Sequence, residues 1–89
     1  MWIFHGDKAR FASGVFLDEA SGLAWARLHH LTGILTEYVV GEGVYDFAVR
    51  TGSFRPSKPH HGSPDHIGSF SSSLEHVHLF DGEPESPDD

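Results

Sequence analysis

The sequence predicts an α+β fold, a small and mainly antiparallel sheet with one main helix and a short second helix. Three observations predict it. Short alternating or β-branched segments recur at Trp2–His5, Phe11–Phe16, Ile34–Val40 and Glu75–Phe80. A capped stretch of helical period lies between the second and third of them. Glycine and proline punctuate the rest. Helices laid on one face of such a sheet are the natural two-layer solution. The expected order is β-β-α-β-α-β-β, in one domain over residues 1–82 followed by an acidic, disordered tail over residues 83–89.

Taken in order, Trp2–His5 reads as a strand, Gly6-Asp7-Lys8 as a turn and Phe11–Phe16 as the second strand of a hairpin, with Gly14 its weak point or bulge. Asp18 is a good N-cap for a helix over about 18–31. Ala20, Ala24, Leu28 and Leu31 recur at helical spacing, Trp25 widens that stripe, and Gly22 weakens the helix by about 1 kcal/mol relative to alanine. Arg27, His29 and His30 suit the negative end of the helix dipole, and Gly33 is expected to close it. Ile34–Val40 reads as a strand, and Gly41-Glu42-Gly43 breaks it. Val44, Phe47 and Ala48 mark a short helix over about 44–51, ended by Gly52. Residues 53–65, with three prolines, read as a long loop. Ile67–Ser71 and Glu75–Phe80 read as a closing hairpin around Ser72-Ser73.

Composition excludes several chemistries. There is no cysteine, which removes disulfides, thiolate zinc sites and thiol nucleophiles, and favours a cytoplasmic setting. No signal peptide and no run of about 20 apolar residues is present, so no membrane association is expected. The formal charge of −7, with six Lys and Arg, supplies no basic stripe for nucleic acid. Eight histidines would more than cancel that charge if all were protonated, so the surface changes character between about pH 5 and 8. Seven Phe, two Trp and two Tyr predict a small aromatic core, with Trp2, Phe4, Phe11, Phe16 and Trp25 its simplest members. Nothing in the chain cradles a nucleotide phosphate or sets up a serine nucleophile.

Several segments taken together carry a resemblance: Trp2-x-Phe4-His5-Gly6, Phe11-x-Ser13-Gly14-Val15-Phe16, Gly33-x-Leu35-Thr36-x-Tyr38, Gly43-Val44-Tyr45-Asp46-Phe47-Ala48 and Glu75-His76-x-His78. Over roughly Trp2 to Gly82 the chain resembles a family of small bacterial domains of unknown function. It departs from that pattern at Phe47, where Trp is usual, and at Val39, where Pro is usual. The resemblance implies a shared fold and a bacterial source, and it brings no activity.

The sharpest candidate site is Glu75-His76-Val77-His78. On a strand, residues two apart share a face, so His76 and His78 project together. Such a pair can share a divalent ion such as zinc, with His5 or one of His60, His61 and His66 as a third ligand; no other cofactor is implied. It can also serve as general acid and base, with Glu75 or Tyr45 beside it. An antiparallel sheet with one wet face produces the same alternation with no function at all. Tyr45 and Asp46 open the second helix; Asp46 is electrostatically favoured there and Tyr45 fits a core edge, although together they offer a phenol and a carboxylate to a groove. The expectation is therefore a small acidic, non-enzymatic interaction module of immunity or accessory type, binding a protein with a basic surface. The alternatives are a small histidine-dependent hydrolase or nuclease, or a metal-binding domain, built on the Glu75–His78 strand, and a pH- or metal-sensing element suggested by the eight histidines.

Overall fold

The structure is a computed structural model and describes residues 1–72 and 74–85. The α+β class is as expected: a five-stranded antiparallel sheet and three α-helices. The chain packs as two compact units, Met1–Tyr38 with Leu74–Asp89, and Val39–Ser73.

The first unit contains the whole sheet. Its strands are β1 (Trp2–Gly6), β2 (Ala12–Phe16), β3 (Gly33–Glu37), β4 (His76–Phe80) and β5 (Glu83–Pro84), in spatial order β2-β1-β3-β4-β5. The β1–β2 register shifts between Phe4 and His5, opposite Gly14 and Ala12, so the bulge falls at Ser13, next to the expected glycine. Helix α1 (Glu19–His29) lies on one face. Asp18, in extended conformation, caps it by accepting the Ser21 N–H at 2.8 Å. The core under the helix is Phe4, Ala26, Leu35 and Leu79, with Trp2, Phe16, Leu23, Trp25, Leu31 and Val77 packed around it. Trp25 meets Phe4 edge-on at 5.7 Å and Phe16 at 5.4 Å.

Four expectations for this unit need correction. The helix does not bury the Ala20–Ala24–Leu28 stripe, because all three are exposed, Leu28 by 71%. It buries Gly22 and Ala26, one turn apart; a Cβ on Gly22 would stand 2.8 Å from both Leu35 methyls, so the small residues let the helix sit close on the sheet. The left-handed closing residue is His30 (φ 55°), not Gly33. Gly33 instead begins β3 where a Cβ would run into the His5 carbonyl oxygen. Phe11 is 75% exposed and stands outside the core. Lastly, the closing hairpin is β4–β5 around Asp81-Gly82, where Gly82 (φ 84°) lies 3.0–3.1 Å, as measured from an added Cβ, from the C-terminal backbone of α1. Glu83 and Pro84, at the head of the expected tail, are paired as β5, and residues 86–89 lie outside the described residues.

The second unit holds α2 (Val44–Arg50), a 3₁₀ turn (Pro59–Gly62) and α3 (Pro64–Ser69). Thr51 caps α2, with Gly52 (φ 83°) following it. The segment expected as a strand from Ile67 is helical instead. Ser63 accepts the His66 N–H at 3.2 Å, Pro64 occupies the first helical position and Asp65 the first turn, three start signals that outweigh a short apolar run. The Ser72-Ser73 turn drawn around that strand falls with it; Ser73 lies outside the described residues. Among the described residues no helix is long and apolar enough to cross a membrane.

Candidate functional site

Strand alternation builds the sheet face opposite α1. Ile3 and His5 of β1, Val15 of β2, Ile34 and Thr36 of β3, and His76, His78 and Phe80 of β4 share it. Register sets two rows across the strands, His5–Ile34–His78 and Val15–Ile3–Thr36–His76. His76 and His78 are exposed, with ring centroids 5.0 Å apart and edge-to-face. The structure thus brings these two together as the spacing predicts. His5 shares their face, but Ile34 stands between it and His78, and two strand spacings separate the backbones by about 9.6 Å. The His5 Nε2–H donates to the Ala9 carbonyl, leaving Nδ1 as the ring's lone-pair nitrogen in the neutral form.

Glu75 is placed differently. Its carbonyl accepts the Glu37 N–H at 2.9 Å, and alternation from His76 turns its side chain away from the imidazole face. Exposed Phe80, at the end of β4, and Ile34, on β3 opposite His78, give the face apolar area, and Asp81, Glu83 and Glu85 give charge to the adjoining turn, β5 and the residue after it. Asp81 lies 3.7 Å from His30. Glu83 takes a two-point hydrogen bond from Arg27 (3.1 and 3.2 Å), which holds the Glu83 carboxyl below its ordinary range and raises that of Arg27.

The second unit gathers the other histidines, which the sequence shows only as scattered loop residues. His60, His61 and His66 have ring centroids 4.6, 5.0 and 5.8 Å apart. Phe54 stacks on His66 at 5.7 Å and meets Phe70 at 4.9 Å, and Tyr45 closes on Phe54, His66 and Phe70 at 5.5–6.0 Å. His61 Nδ1 accepts the N–H groups of Ser57 (2.9 Å) and Lys58 (3.2 Å). Those donors fix the neutral tautomer with the proton on Nε2, so neither ring nitrogen offers a free lone pair to a metal. Removal from water, then the neighbouring His60, His66 and Lys58, push the His61 imidazole below its ordinary range. His66 Nδ1 is buried with no hydrogen-bond partner. Tyr45 therefore belongs to ring packing, while Asp46 is exposed in the first turn of α2. Among the described residues, no group of three or more His, Cys, Asp or Glu side chains is arranged to hold a metal ion.

A family model for a domain of unknown function, DUF7710, matches residues 1–85. The chain belongs to the DUF7710 family. The expected membership in a family of small domains without an assigned activity holds at that level. No curated protein and no solved structure matches the chain.

The residues that sequence reasoning passed over on the open face are Ile34 and Phe80. The signal for Phe80 was present: it continues the same alternation as His76 and His78.

Proposed function

We propose that this domain is a non-enzymatic interaction module that binds a protein partner with a basic surface through the β3–β4 part of its open sheet face. One observation carries the reading: Phe80, 65% exposed, stands in line with His76 and His78 on a strand that runs into an acidic turn and edge carrying Asp81, Glu83 and Glu85. An apolar side chain set in a polar, acidic rim is the anatomy of a binding surface. The formal charge of −7 steers a cationic partner toward it. A catalytic reading asks more of the histidines, since a general acid and base need orienting partners and shelter from water. His76 and His78 are exposed, and their rings meet edge to face.

The test is capture of native-host partners on the immobilised domain, followed by affinity measurement with each purified partner at low and high salt. The reading expects a basic protein whose affinity falls at least about tenfold for Phe80→Ser and falls again with salt. A partner indifferent to both, or none at all, sinks it.

The 5.0 Å separation of the His76 and His78 rings favours a second reading, a weak two-imidazole site for a divalent ion. Zinc titration followed by imidazole ¹⁵N shifts tests it. Shifts at His76 and His78 together support the site, and unchanged spectra at about 1 mM zinc remove it.

A further inference from the structure

We propose that two copies of this chain pair through β2, edge to edge and antiparallel, forming one continuous sheet. Among the described residues β2 is the terminal strand of the sheet, with β1 on one side and no strand on the other. Its outward backbone groups can be placed from hydrogen-bond parity. Met1 and Tyr38 exchange both backbone bonds (3.1 and 2.7 Å), so the odd residues of β1 face β3 and its even residues face β2. Trp2 and Phe4 are opposite Phe16 and Gly14, so those two turn inward and Val15 presents its N–H and C=O to the outside. That is an open pairing template.

The side chains of this edge lack the usual guards. From Phe11 to Leu17 there is no charge and no proline, and Phe11, Val15 and Leu17 are 75, 62 and 82% exposed. The other edge of the same sheet is guarded by shortness, proline and charge: β5 is only Glu83 and Pro84, and Glu85 follows it. A sheet with one blunted and one open edge can join only once through strand pairing, so a two-fold pair is closed and does not grow into a fibre.

Charge identifies the occupant. The uncharged segment is preceded by Arg10 and followed by Asp18 and Glu19. Arg10 lies over the Phe11 ring at 5.8 Å and has no carboxylate partner among the described residues. Antiparallel self-pairing sets each Arg10 beside the other copy's Asp18 and Glu19, at both ends of the seam. Parallel pairing would set like charges together. The bulge at Ser13 confines regular pairing to the Gly14–Leu17 side, so the seam is short and the dimer weak, of the size class below about 1,200 Å².

Sedimentation velocity of the full chain from about 10 μM to about 1 mM tests this, the range in which a seam of this size associates. The expected result is a concentration-dependent monomer–dimer equilibrium that weakens with salt. Val15→Lys should weaken it at least about tenfold. Arg10→Glu should also weaken it, and the swapped pair Arg10→Glu with Glu19→Lys should regain part of the loss. All these side chains are exposed, and unchanged dispersion of amide resonances confirms that each variant is folded. A monomer throughout the range overturns the proposal. So does a dimer that ignores Val15→Lys and Arg10→Glu, or an open-ended polymer. Phe80→Ser should leave self-association unchanged, which separates this seam from the partner-binding face.

Discussion

The two units solve the same problem with different materials. In the first, a helix with a small-residue face closes over hydrocarbon: Phe4, Ala26, Leu35 and Leu79 are buried to 2% exposure or less. In the second, Ala48 is buried, and around the rest Tyr45, Phe54, His61, His66 and Phe70 meet ring to ring while half-exposed. Hydrocarbon burial is indifferent to protons, whereas a cluster containing imidazoles is not. Stability in this chain should therefore divide by pH between about 7.5 and 5, above the range where the Asp18 and Glu83 carboxylates take up protons, with the sheet unit constant and the histidine unit responsive.

The largest expected effect lies in the sheet unit. Leu35→Ala removes a side chain with no exposure and should cost about 2–5 kcal/mol in urea unfolding, enough to threaten the fold of so small a chain. Gly22→Val comes next. It presses a branched side chain against Leu35 and should cost about 1–3 kcal/mol through overpacking.

Acid comes third and should act on the second unit. The His61 imidazole binds its proton less readily in the folded chain than in the unfolded one. Stability linked to it is therefore full above the unfolded value of about 6.5 and is lost as pH falls through the lower folded value. Amide exchange should show protection in α2 and α3 declining from pH 7.5 to about pH 5, with Leu35 and Leu79 unaffected once intrinsic rates are corrected. Equal loss in both units would break the comparison.

Two ring substitutions sharpen it further, with opposite signs. His66→Phe keeps a ring against Phe54 and Phe70 and removes a buried nitrogen that has no partner, so thermal unfolding should be unchanged or stabilised by up to about 1 kcal/mol. His61→Phe leaves the Ser57 and Lys58 N–H groups without their acceptor and should destabilise the unit while flattening its acid response. The smallest effect belongs to the Glu42–Arg50 pair, an exposed guanidinium on a half-buried carboxylate, joined at 2.9 and 3.0 Å. Arg50→Gln should lower the melting temperature only slightly, and less at high salt.

How much of this could be read in the sequence depends on the range of the interaction. The strands from Trp2, Ala12, Gly33 and His76, the Asp18 cap and the pairing of His76 with His78 are local matters, set by alternation and capping, and they were legible. The buried face of α1 was misread because a hydrophobic stripe was sought, whereas Gly22 and Ala26 are buried for their smallness against Leu35. Helix α3 was missed although Ser63-Pro64-Asp65 announced it; the short apolar run after it carries no period of its own. The ring cluster of Tyr45, Phe54, His60, His61, His66 and Phe70 could not be read at all. Its members are joined by tertiary packing across irregular chain, where spacing carries no signal.

The central claim is that β3 and β4 present a docking face for a basic protein. It is tested most directly by titrating the captured partner into isotope-labelled domain and following the backbone and histidine resonances. The account predicts shifts concentrated at Ile34, Thr36, His76, His78 and Phe80, attenuated by salt and by Phe80→Ser. Shifts confined to the outer surface of α1 or to residues 39–72 would contradict it.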